Sequence, residues 1–109
     1  MVNQKEGKKI YLFGNDVSFR LGIDGLTNLI LSEFEEKEIK NNIYVFFNKT
    51  CRQVKIIEFD EKGTWLYQNK LKEYRYIKPN IEKGKIQIDI KQLKIVFNNL
   101  KLVGKRVSK

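Results

Sequence analysis

Apolar residues fall in short alternating or continuous runs along most of this chain, and in two segments they switch to a spacing of three and four. KIYLF at 9–13 reads as a short strand closed by Gly14, Asn15 and Asp16, since a β-branched and aromatic run that ends in turn formers favours extended backbone. In the stretch FRLGIDGLTNLI at 19–30, Leu26, Leu29 and Ile30, followed by Phe34, share one side of a helix. Asp24 is well placed to cap that helix, with Gly22 and Gly25 at its entrance and outside its interior. IYVFFNK at 43–49 and RQVKIIEFD at 52–60 read as two strands joined by a short polar connection, and DEKG at 60–63 as a turn whose glycine takes a left-handed conformation. TWLYQNKL at 64–71 and EYRYIK at 73–78 continue an antiparallel meander that Pro79-Asn80 ends.

EKGK at 82–85 then turns into IQIDI at 86–90, where Ile86, Ile88 and Ile90 alternate onto one buried face. Asp89 is positioned to cap a second helix, IKQLKIVFNNL, with Leu93, Val96, Phe97 and Leu100 as its apolar stripe. The expected class is α+β: an antiparallel sheet of about five strands in a meander, with two helices packed on it. A single domain over residues 9–102 is expected, with flexible tails at 1–8 and 103–109.

Charge adds a second layer to this picture. The chain of 109 residues carries a formal charge of +9, from 22 Lys and Arg against 13 Asp and Glu. Residues 1–40 hold six basic and seven acidic groups, whereas residues 41–109 hold sixteen basic and six acidic. A uniform compositional drift toward lysine does not produce that split, so the folded domain is expected to be electrostatically two-faced and to meet an acidic partner such as nucleic acid. The acidic run EFEEKE at 33–38 is the counterpart, suited to a protein partner. One cysteine, Cys51, allows no internal disulfide and suits a reducing compartment. With neither an apolar signal core at the N-terminus nor a membrane-length apolar run, a soluble cytoplasmic protein without a membrane partner is expected.

Several kinds of chemistry are missing. Without histidine there is no Ser-His-Asp or Cys-His constellation and no histidine-ligated metal, and GIDG lacks the spacing and the lysine of a phosphate loop. The carboxylates fall in the 33–38 cluster, in the turn at 60–61 and at the helix starts, where solvation and capping account for them. The expectation is therefore a non-enzyme with no metal and no cofactor.

What remains is a basic, aromatic segment. TWLYQNKLKEYRYIKP at 64–79 interleaves Trp65, Tyr67, Tyr74 and Tyr76 with Lys70, Lys72, Arg75 and Lys78, a composition in which rings stack on unpaired bases and cations meet phosphates. Aromatic residues on alternating positions also pack well under a helix, and Trp65 and Tyr67 are expected to do so. Lys72, Tyr74, Tyr76 and Lys78 share one face bounded by lysines, so Tyr74 and Tyr76 are the better candidates for a wet contact surface. Lys49, Arg52 and Lys55 extend the patch, and Arg20, ahead of the first helix, is the candidate contact of that entrance motif.

FRLGIDGL, IYVFFN, VKIIEFDEKGTWLY, RYIKP and QLKIVFNNL, in that order, resemble the TnpB-type accessory protein, the second open reading frame product, of bacterial insertion sequences of family sixty-six. The resemblance covers residues from about 9 to 102, with Phe19 to Leu26 in the family's entrance motif. Leu21, Lys72, Tyr74 and Lys78 depart from the residues usual there, which makes the hairpin more basic than is typical. The resemblance implies a protein of a mobile element that supports transposition while a separate, larger transposase cleaves and joins strands. It implies two possible partners, DNA and that transposase. Binding element-end DNA and serving as an adaptor for the transposase both fit.

Overall fold

The computed structural model describes residues 8–79 and 84–103; the expected tails and the turn at 82–85, except for Lys8, Val103, Gly84 and Lys85, lie outside the described residues. The chain forms β1 (Ile10–Phe13), α1 (Ile23–Leu31), a 3-10 turn (Glu36–Glu38), β2 (Ile43–Phe47), β3 (Gln53–Phe59), β4 (Thr64–Lys70), β5 (Tyr74–Tyr76), β6 (Lys85–Ile88), α2 (Ile90–Asn98) and β7 (Leu100–Leu102). α+β is the class, but the sheet is mixed. Its order is β4-β3-β2-β1-β6, with β1 parallel to β2 and every other pair antiparallel. A tight turn joins antiparallel strands only, so the parallel β1–β2 pair uses α1 as its crossover. The meander is confined to β2, β3 and β4.

α1 and α2 cover opposite faces of the sheet. Leu26 and Ile30 of α1 pack with Phe13, Tyr44, Phe46, Ile57 and Phe59, while Leu93 and Val96 of α2 pack with Ile10, Leu12, Val45, Phe47, Val54 and Ile56. The central strand β2 is therefore buried at all five positions, which is why IYVFF is a continuous apolar run and not an alternating one. Burial pushes the Tyr44 hydroxyl up to about 12, against a lowering hydrogen bond from Asn42.

β5 departs from the expected meander. Leu71 N still donates to Arg52 O, continuing the ladder with β3, but Tyr76 N then donates to Cys51 O. The chain thus crosses the end of β3 and does not fold back beside β4. Cys51 makes this possible by taking a left-handed φ of 58°, which turns the β2–β3 connection. β5 pairs instead with β7, a strand within residues read as helix end and tail. Gly63 needs no left-handed backbone; among the described glycines Gly84 does, at φ 82°.

The two helix starts differ. Asp89 caps α2 as expected, in a reciprocal box with Gln92. The cap of α1 is Gly22, with no side-chain hydrogen bond, and Asp24 lies in the first turn. Gly25 is inside the helix, where an added Cβ would meet Leu21 Cδ2 at 2.6 Å; its bare backbone lets Leu21 fold over the first turn. Asp89→Ala is expected to cost about 1 kcal/mol. Asp24→Ala removes only an exposed charge near the helix dipole, about 0.3–1 kcal/mol at low salt and less at high salt. Urea midpoints for the two variants at two salt concentrations check this order.

Candidate functional site

One end of the sheet collects five of the ten sequence-derived contact residues. The ends of β1, β2 and β4 and the start of β3 meet there, as the pairs Leu12 with Val45, Phe47 with Val54 and Gln53 with Lys70 require. Loop 14–22 is drawn to the same end: Val17 N donates to Phe47 O at 3.1 Å. Arg20 in that loop, Lys49 in the β2–β3 turn, Lys70 at the end of β4 and Lys72 just beyond it are all exposed. None of the four is in an ion pair among the described residues, and Lys70 Nζ lies 5.8 Å from the centre of the exposed Phe19 ring. Arg52 is half-buried in the same turn, its Nε covered and without a hydrogen-bond partner among the described residues.

Three of the residues singled out from the sequence do not join this exposed set. Lys55 is buried on the α1 face, where its ammonium donates to the carbonyls of Phe19 at 2.6 Å and Leu21 at 2.5 Å; burial lowers its pKa. Tyr76 is buried in the core between Phe47 and Phe97, with its hydroxyl accepting from Asn69. Lys78 is spent on the Gly14 carbonyl and on Asp16. The lysine-bounded wet face of Lys72, Tyr74, Tyr76 and Lys78 is thus replaced by a different arrangement, because β5 passes over the sheet and turns one tyrosine into it. Tyr74 stays exposed beside Leu102, and half-buried Arg75 pairs in register with Lys101, a cation not singled out from the sequence. Lys91 and Lys94 add exposed charge on α2.

The expectation for Trp65 also reverses, whereas Tyr67 packs against the core on the α2 side as expected. Trp65 is 55% exposed and stacks on half-buried Tyr67, their centroids 6.4 Å apart and their planes 15° from parallel. Its indole N–H donates to Asp60 Oδ2 at 2.8 Å; this bond and the amides of Lys62 and Gly63 hold the Asp60 carboxyl below its usual range. The two rings line a cleft of about 450 Å³ at the opposite end of the sheet, with Lys8, Glu58, Asp60 and Lys62 around it. Glu58 is buried and doubly satisfied, accepting from Lys8 and from the Tyr67 hydroxyl. Burial and that carboxylate together raise the Tyr67 pKa. A sequence signal for this cleft existed: Glu58 continues the apolar face of Val54 and Ile56, and a carboxylate there marks the limit of the core.

Among the described residues, no three His, Cys, Asp or Glu side chains come together to hold a metal ion, and no helix is long and apolar enough to cross a membrane. The acidic run follows α1 and ends in the exposed 3-10 turn near the start of β2, and Asn42 ties that turn to the strand through the Glu38 carbonyl.

A family model described as IS66 Orf2 like protein matches residues 8–106 of the chain. The uncharacterized protein y4jC of Sinorhizobium fredii is 25% identical over 100 residues, spanning 92% of this chain and 86% of the relative. No solved structure matches.

Proposed function

The chain belongs to the IS66 Orf2-like family, accessory proteins of insertion sequences, and we propose that it serves transposition by holding DNA at the basic end of its sheet. In this reading it is not itself an enzyme, and strand cleavage and joining fall to a separate transposase that it assists. The observation that carries the reading is the gathering of Arg20, Lys49, Lys70 and Lys72 at one end, exposed and free of carboxylate partners among the described residues. Cations left unpaired on a surface attract phosphate and release counterions when they meet it. Phe19 beside Lys70, and Tyr74 on β5, supply exposed rings for unpaired bases.

The test is binding of the full chain to element-end and random duplexes over a salt series. Four phosphate contacts predict a slope of about −3 to −4 in log K against log salt, which is roughly a hundredfold loss of affinity for a fourfold rise in salt. No binding at low salt would leave the chain as an adaptor that contacts only the transposase.

A further inference from the structure

β4 ends the five-stranded sheet, with β3 on one side and no strand on the other among the described residues. The ladder identifies which of its peptide groups are left over. Leu71 N donates to Arg52 O at 2.8 Å and Asp60 N to Gly63 O at 3.0 Å, one at each end of the β3–β4 pair. With Gln53 opposite Lys70, hydrogen-bonded pairs therefore fall on Trp65, Tyr67 and Asn69. Thr64, Leu66, Gln68 and Lys70 direct their N–H and C=O groups away from the sheet. Edge strands are commonly blunted by proline, a bulge or a short length. β4 has no proline, pairs without interruption over seven residues, and carries a single lysine at its end.

The same strand presents a knob and a groove. Trp65 is held out by Asp60 and by its stack on Tyr67. Further along the same face, Tyr67 and Asn69 join Val54, Ile56, Tyr76 and Phe97 in lining a largely apolar groove of about 360 Å³. Nothing among the described residues fills it.

We propose that β4 pairs antiparallel with β4 of a second copy of this chain about a two-fold axis at Tyr67, merging two five-stranded sheets into a continuous one. Centring the pair on Tyr67 sets Leu66 opposite Gln68 of the partner subunit and Thr64 opposite Lys70 of the partner subunit. Both members of each pair direct their peptide groups outward, so all four left-over residues of each strand gain partners, and a shift by one residue would lose them. Trp65 comes beside Asn69 of the partner subunit, at the partner's apolar groove. Charge agrees with this direction: Asp60, Glu61 and Lys62 give the turn before β4 a net −1, and Lys70 at the end of β4 with Lys72 and Glu73 just beyond it gives a net +1. Antiparallel pairing brings each turn toward the partner's oppositely charged segment.

The test combines sedimentation equilibrium of the full chain with amide exchange at low and high protein concentration. The expected result is a species of twice 13.0 kDa, in which the amides of Leu66 and Gln68 slow by roughly tenfold or more on concentration. The amides of Trp65, Tyr67 and Asn69 should be protected at both concentrations. Gln68→Pro removes an outward N–H and Trp65→Ala removes the knob, and each should weaken association by roughly 30-fold or more. A chain that stays monomeric at millimolar concentration overturns the proposal, and so does a dimer whose Leu66 and Gln68 amides exchange as fast as in the monomer. The wild-type exchange pattern decides the matter even if both variants fail to fold.

Discussion

Replacing Lys55 by alanine is expected to destabilise the fold by about 2–4 kcal/mol and to release residues 19–21 from the sheet. Two opposing effects set that figure. The buried ammonium makes charge-assisted bonds of 2.6 Å and 2.5 Å to the carbonyls of Phe19 and Leu21, and its stem packs under the loop. Against this stands the cost of taking the charge out of water, which is what lowers its pKa. Lys55→Met separates the two, because it keeps an apolar stem and removes the buried charge along with the bonds. Its expected cost is smaller, about 1–2 kcal/mol.

The pH dependence follows from the same lowering. Between the folded-state pKa and the unfolded value of about 10.5, the unfolded chain binds more protons at this site, so the stability contributed by Lys55 rises as pH climbs through that window. Measured as the difference between the parent and Lys55→Met, the rise is separated from Tyr44, whose raised pKa of about 12 makes its own contribution fall above about pH 10. Urea unfolding and amide exchange over residues 19–22 are the readouts. A methionine variant as stable as the parent, with an unchanged loop, would mean that the loop is held by other contacts.

Removing Arg20, Lys49, Lys70 and Lys72 together, each to alanine, is expected to lower DNA affinity on the order of a thousandfold at 0.1 M salt, given a slope of about 0.9 for each phosphate no longer neutralised. All duplex sequences should be weakened alike, since phosphate contacts carry no sequence information. Stability should change little, because the four side chains are exposed and make no ion pairs among the described residues. Lys55→Ala is the instructive comparison: it leaves all four cations in place but frees the loop that carries Arg20. It should weaken binding by about tenfold or less, the share of one phosphate. If the quadruple variant binds every duplex as tightly as the parent at low salt, the basic end has no part in the mechanism.

Much of the local structure is legible in the chain. Asp89 ahead of IKQLKIVF marks a capped helix, and the capping box is there. VKIIEFDEKGTWLY reads as a hairpin, and β3 and β4 pair across it with Phe59 opposite Thr64. The errors cluster where a local pattern has two meanings. A carboxylate near a helix start signals a cap or merely favourable charge in the first turn; Asp24 is the second, because the chain bends at Gly22, two residues earlier. Lys55 reads as one more cation in a basic strand, and nothing local shows that a loop 34 to 36 residues away lays its carbonyls over it.

Three properties are already present in the linear chain: which segments other than β7 are extended and which helical, the uneven division of charge, and the family to which the protein belongs. They follow from neighbours within a few residues and from the order of motifs, both of which a linear reading contains. The parallel setting of β1 against β2, the placing of the helices on opposite faces, and the departure of β5 from the sheet to join β7 are settled only on folding. Alternation divides a strand's side chains between two faces but does not say which face another layer will cover, and that choice rests on contacts between residues far apart in sequence. Tyr76 and Trp65 show the consequence. The tyrosine lies against Phe97 of α2 and is buried, the tryptophan lies on the edge strand β4 and is exposed, and their positions in the sequence pattern suggest the reverse.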